Sequence, residues 1–545
     1  MSFMRLPSQL IQRSLNKRPL HQLARTMATA SKIQITPENT GLWHIKQSEP
    51  AAKKATELLQ KDLETHHVFF NDDGFHNHIS HQILALYGIG APPESLEKAY
   101  KVNEGYQRPA APPHEVLRDW AEVKQYLGKG EHYTDFLAFF KGEIERLGGW
   151  EAALREYLFK PGDERSEDLL VRMFAGLLHP LIQLMYGIEW RQPAVVAMAL
   201  AQAAVHGDDG GLRDFLLTAD RQAHAASSSE PMPAIVDLLE AVQADEKLAR
   251  SARLSDGNKI RDGVLGRAWG EAVAVASRVR VNPDELDERT AEMYHAAIYQ
   301  GASAALQPGK QPKWDFFLIP ETACEIECVS KHHINLCPIF LTINAQDWIP
   351  LESKVRILEW KIRLDLAQYA ARACPELSLD RIASYEPKDK GPGPAVGELI
   401  DRAHVALNPL SPFLPPSSRL SYPRPQKQPT LTHSLDTERL LPRIHALEED
   451  GHASKLFRAV EIGRRAISRY ENDDNNKNNW VLIRGPELWD KIMHLVVDSV
   501  EAPGPNWVRG AGDADAWKGE QDRDAGPAGD EERGIARAEP VEGVA

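Results

Sequence analysis

The stretch HHVFFNDDGFHNHISHQILALYGIGA, residues 66–91, decides how the rest of the chain is read. Its second half, after His81, is a short apolar run with helical spacing, and YGIGAPP at 87–93 reads as the end of that helix. A helix starting near Asn77 puts His78 and His81 three residues apart on one face, a spacing that suits two ligands on one metal. The alternative is that one histidine caps the helix and the others hydrogen-bond loops.

Outward from there the pattern stays helical. Residues 167–190 place Leu170, Phe174, Leu177, Leu181 and Met185 on one face, with a bend expected at Pro180. PAVVAMALAQAAVH at 193–206 reads as a buried helix entered through Pro193, and 264–279, 284–305, 352–373 and 485–501 behave similarly. Alternating patterns are scarce; VFF at 68–70 and WVLI at 480–483 are the best strand candidates. The expected fold is therefore all-α, a single multi-helix body around an apolar pocket. Residues 386–430 hold ten of the 37 prolines and read as a long irregular connection.

The 545 residues carry a formal charge of −14, unevenly spread. Residues 1–32 have six bases and no acid, whereas 511–545 have ten acids and four bases, so the ends cancel and the net charge belongs to the body. The first segment reads as a mitochondrial transit peptide or an upstream extension before Met27, leaving mitochondrial and cytoplasmic locations both open. The last reads as a disordered tail. The acidic balance argues against nucleic acid as a partner, and no stretch has the ~18 apolar residues of a membrane span. Oligomeric state is not legible.

No Gly-rich loop fits a Rossmann or Walker site, and neither G-x-S-x-G nor H-E-x-x-H occurs. Further histidines lie in apolar helical contexts: His179, His295 and His494, with His332 and His333 before INLCPIFL. Singly, each reads as a hydrogen-bonded core residue; several in one helical body favour a shared site, because metal centres in helical proteins recruit side chains from facing helices. Lys361 lies beside the stripe of Leu358, Ile362, Leu366 and Tyr369, where it either snorkels to solvent or acts as a desolvated amine.

The runs FHNHISHQILALYGIGAPPESLEKAY, LLHPLIQLMYGIEW, KWDFFL, HHIN, LEWKIRLDLAQYAAR, GHASKLFRA and LWDKIMHLVVDSVE, in this order, resemble the fungal questin oxidase-like family from about residue 35 to 518. The resemblance implies an oxygenase that uses O2 to open anthraquinone-type aromatic polyketides by a formal Baeyer–Villiger oxidation. It also implies non-haem Fe(II) held by histidines and a carboxylated lysine, with NADPH as a reductant. Carried onto this chain, it implies His78, His179, His295, His332 and Lys361 as metal ligands, and Lys361 and His81 as catalytic residues. His81 and His494 are the reserve ligands, and His332 is preferred over His333.

Two departures accompany the resemblance. Gln183 stands where the family often has a histidine, and IPETACEIECVSK separates DFFL from HHIN. That insertion, spanning 319–331, reads as an extra loop or a gene-model artefact. It also creates a zinc-like Cys324, Cys328, His332, His333 spacing, two members of which belong to the insertion. Cys337 and Cys374 read as buried thiols. Trp314, Phe316, Phe317, Trp360 and Tyr369 are candidate pocket walls. The competing expectations are a metal-free NADPH-dependent monooxygenase and a non-catalytic helical ligand-binding or scaffold protein.

Overall fold

The computed structural model describes residues 27–72, 74–207, 211–225, 231–315, 330–388, 435–471, 479–502 and 506–523. Most of the basic leader, the acidic end, Cys324, Cys328, Phe316, Phe317 and nearly all of the inserted and Pro-rich segments lie outside the described residues. Helices dominate the described residues, and the only β pairing among them is four isolated bridges. Neither strand candidate forms: Phe69 makes one bridge to His76, and 480–483 is a turn and irregular chain.

The expected helix over 167–190 is two helices, Glu164–Met173 and His179–Glu189, bent by 72°. The break lies before Pro180, not at it. Gly176, Leu177 and Leu178 all take positive φ, so the chain reverses in a 3₁₀ turn, and Pro180 then sits in the first turn of the next helix, where its missing N–H costs nothing. Periodicity could not show this because both halves keep the same apolar spacing. Asp163 caps the first half by accepting the Ser166 N–H.

Long buried helices form the centre. Pro193–Val205 is buried along nearly its whole length and packs against His179–Glu189 and Tyr133–Arg146. Leu286–Ala304, Leu351–Ala371 and His452–Ile467 complete the core with Ile79–Gly88, which packs directly on His452–Ile467. No single described helix is long and apolar enough to cross a membrane. Residues 511–523, assigned to the tail by composition, are packed: Trp517 is buried and donates its indole N–H to Ala511 O, and the Gln311 N–H donates to Gln521 O.

Candidate active site

Histidines from four separate segments converge in the core. His76 and His78 precede the Ile79–Gly88 helix, His78 occupying its N-cap position, and His81 lies in the first turn. His179 opens its own helix just after the 72° break, His206 follows the Pro193–Val205 helix, and His452 opens the His452–Ile467 helix. All six are buried.

Their ring nitrogens face one another. Nε2 of His78 lies 2.9 Å from Nε2 of His179, and Nε2 of His76 lies 2.7 Å from Nε2 of His206. The His76 and His179 rings stack at 3.9 Å, His452 meets His78 edge-on at 4.5 Å, and His81 lies 6.1 Å from both His78 and His179. The His179 Nδ1–H donates to Gly176 O at 2.8 Å, which leaves the lone pair on Nε2, the nitrogen that faces His78. His452 Nδ1 pairs closely with Asp450, whose carboxylate is also 3.6 Å from His78 Nδ1. The donor atoms of His78, Asp450 and His452 all lie within 4.8 Å of one another.

Burial favours the neutral form of three of these imidazoles. Burial, and then the neighbouring His206, hold His76 well below its ordinary pKa. Burial, reinforced by Lys455, does the same for His81, and burial takes His206 down to about 4. His81 is wholly buried, and neither of its nitrogens makes a hydrogen bond of ordinary geometry among the described residues. Buried, inward-facing imidazoles with a nearby carboxylate form a donor set for a borderline transition metal.

Lys361 belongs to a second buried group. Its Nζ lies 2.6 and 2.5 Å from the two oxygens of Asp365, which also pairs closely with His333 Nδ1. Burial alone would raise the Asp365 carboxyl, but Lys361 and His333 outweigh it and hold it below its usual value. The Ser330–Leu336 helix that carries His333 packs against both the His179–Glu189 and His452–Ile467 helices, linking the two groups.

The candidates from sequence therefore separate. His78, His81 and His179 come together. Lys361 pairs with Asp365 instead of meeting them in any described contact. His295 is placed elsewhere, its Nε2 accepting the backbone N–H groups of Leu482 and Ile483, both at 3.0 Å, so that nitrogen has no lone pair left for a metal. His494 is half-buried on the Gly485–Glu501 helix. His332 lies in the Ser330–Leu336 helix, but its side chain is outside the described residues, whereas His333 is buried against Asp365.

Sequence reasoning missed His76, His206, His452, Asp450 and Asp365. The signals were present: His452 sits in GHASK, and His206 ends the PAVVAMALAQAAVH run. Gln183 occupies part of the gap left by the absent histidine; it accepts from Ser80 Oγ at 2.8 Å and reaches towards His81. Beside it is a cavity of about 10 Å³ lined by His67, Asn77, Ser80, Gln183 and Gln202 among others, space for one water-sized molecule. Val68, Tyr133 and Met198 also line it. Trp314, Trp360 and Tyr369 are core-packed; Trp360 donates to Asp220 and Tyr369 to Pro375 O.

A family model described as questin oxidase-like matches residues 75–460, a span holding every member of the histidine cluster. The chain belongs to the questin oxidase-like family. It is 33% identical over 90% of its length to the Baeyer-Villiger oxidase ptaJ of Pestalotiopsis fici, covering 98% of that protein. It is 31% identical to the questin oxidase of Aspergillus fumigatus, over 90% of this chain and 99% of that one. The Baeyer-Villiger monooxygenase dmxR6 of a Cryptosporiopsis strain is 32% identical over 90% and 98%. This questin oxidase-like chain is accordingly an oxidoreductase, an oxygenase of the Baeyer–Villiger type that takes a small molecule and O2. The non-catalytic scaffold expectation finds no support beside these relatives.

Proposed function

We propose that the chain is an iron-dependent oxygenase that opens one ring of an anthraquinone or related polycyclic aromatic. The observation that carries this reading is the facing pair His78 and His179, with the His179 lone pair aimed by the Gly176 carbonyl. Residues that would hold Fe(II) are His78, His179 and His452, with His81 and Asp450 beside them. The donor set fits: His78, His179 and His452 are buried imidazoles, the donor atoms of His78, His452 and Asp450 lie within 4.8 Å of one another, and that carboxylate balances a dication. Iron, when bound, supplies a redox-active Lewis acid for the reaction of O2 with an electron-rich ring.

The protein's own contribution is orientation and exclusion of water. Gly176 O fixes the His179 tautomer, and Asp450 sets that of His452. The packed aromatic and aliphatic core around the cluster keeps bulk solvent out. In this reading Lys361 supports the site through Asp365 and His333 and is a positioning residue. A phenol or hydroquinone form of the substrate provides the electrons for O2, so NADPH serves upstream, in reducing the quinone.

Metal analysis with oxygen-uptake assays tests the reading. Purified protein is expected to contain about one iron per chain, to lose uptake on chelation and regain it with Fe(II). His179→Ala is expected to lower iron content and reduce kcat at least ~100-fold. Full activity in metal-free protein, strictly dependent on NADPH, would overturn it.

A further inference from the structure

A second group of donors lies at the surface, outside the histidine cluster. The irregular segment before the Trp120–Lys124 helix brings His114 back against the start of the Tyr133–Arg146 helix. His132 occupies that helix's N-cap position, and Asp135 lies in its first turn. Donor atoms of His114, His132 and Asp135 all fall within 4.8 Å of one another.

Asp135 is the unusual member, being 1% exposed. One carboxylate oxygen accepts the backbone N–H groups of His114 at 2.7 Å and Glu115 at 3.2 Å, and the other lies 2.7 Å from His132 Nδ1. No lysine or arginine pairs with it among the described residues; His132 is its one ion-pair partner there. A buried carboxylate wants a cation, and two amides and an imidazole meet that demand only in part. The amides also hold the carboxylate in place, the outer support that metal-ligating carboxylates commonly have.

Access and chemistry agree. His114 is exposed and His132 half-buried, so an ion arrives from solvent without any rearrangement of the core. The two imidazole rings are 5.8 Å apart, and the Tyr126 ring packs on His132 at 4.3 Å, limiting its rotation. Two nitrogens and one carboxylate oxygen form a borderline donor set, for which zinc at ~2.0–2.1 Å is the best match, with water completing the tetrahedron. Ligand atoms in such a site stand ~3.4 Å apart. The 2.7 Å His132–Asp135 contact opens to that spacing as the ion replaces the shared proton, which leaves to solvent, and a side-chain rotation of the exposed His114 brings in the third donor.

We propose that His114, His132 and Asp135 form a surface site for a divalent zinc-like cation that clips the segment around residue 114 to the start of the Tyr133–Arg146 helix. The site is independent of the iron reading, and it is separable from it by experiment. Zn²⁺ is titrated by calorimetry into the full-length protein with its resident metal retained, and the bound equivalents are counted by metal analysis. Wild type is expected to bind one equivalent more than His114→Ala/His132→Ala, whose oxygen uptake stays unchanged. His114→Ala alone alters an exposed side chain and leaves the core intact; it is expected to weaken that equivalent at least tenfold. His78→Ala/His179→Ala should keep the site even while losing oxygenase activity. An isotherm unchanged in His114→Ala, or no Zn²⁺ equivalent tighter than millimolar in wild type, overturns the proposal.

Discussion

Lys361 shows how much a residue's partners decide. In sequence it is a lysine beside an apolar stripe, open to readings as a snorkelling surface cation, a reactive amine or a carboxylated ligand. In the fold it is 0% exposed and paired through both oxygens of Asp365. That pairing is an i,i+4 relation visible in KIRLD, yet nothing in the sequence says that this face is the buried one. Removing one partner strands a buried charge, so Lys361→Met is expected to cost about 3–5 kcal/mol in urea denaturation. Lys361→Met/Asp365→Leu, which removes both charges, should recover much of that loss. If the single variant is no less stable than wild type, the pair is not the buried contact described. The histidines divide by the same logic. His78 and His179 were legible because they sit at the edges of apolar helical runs. His452 was hidden because it opens its helix after an acidic turn, where composition suggests surface.

At the scale of elements, the site depends on turns rather than helix interiors. His179 is delivered by the left-handed break at Gly176–Leu178, and His452 by the turn at Gly451. Helical periodicity locates helices but not the breaks between them, which is why 167–190 reads as one helix and folds as two. Gly451 has φ +95°, and a Cβ there would lie 2.6 Å from Gln82 Cβ, on the helix that carries His81. Gln82 Nε2 also donates to Glu449 O at 2.8 Å, so the turn holding Asp450 and His452 is locked against that helix. Gly451→Ala combines a strained φ with a clash against a rigid atom and is expected to cost about 2–4 kcal/mol and to lower iron content. Gly74→Ala is the matched control. Its φ of +79° is equally unfavourable to alanine, but nothing among the described residues lies within 4 Å of the added carbon, so about 1 kcal/mol is expected. Equal destabilisation of the two variants, measured by thermal unfolding, would mean that the contact with Gln82 does not hold the turn.

Across the whole molecule, the net charge says less about stability than the neutral histidines inside it. Composition and periodicity made the all-α class legible, but not which histidines are enclosed without a proton, because that depends on packing between distant segments. His295 is held down to about 3, by burial and then by Arg484, and its Nε2 accepts two backbone N–H groups. Burial takes His445 to about 4, with its Nε2–H donating to Ile89 O at 3.2 Å. In the unfolded chain both titrate near 6.5. Below that pH the unfolded state takes up protons that the folded state refuses, so stability falls as pH falls. The loss starts near pH 6.5 and runs to about pH 4 for His445 and about pH 3 for His295. Allowing for the partial exposure of His445, the two together should remove on the order of 5 kcal/mol by pH 4. His295→Gln tests the assignment, because its amide oxygen can still accept from Leu482 and Ile483 but takes no proton in this range. The variant is expected to lose some stability at pH 7 yet show, in urea denaturation, a decline between pH 6.5 and 4 that is smaller than the wild-type one by about 3 kcal/mol. A decline as steep as wild type would place the acid sensitivity on other groups, the buried histidines His76, His81 and His206 first among them.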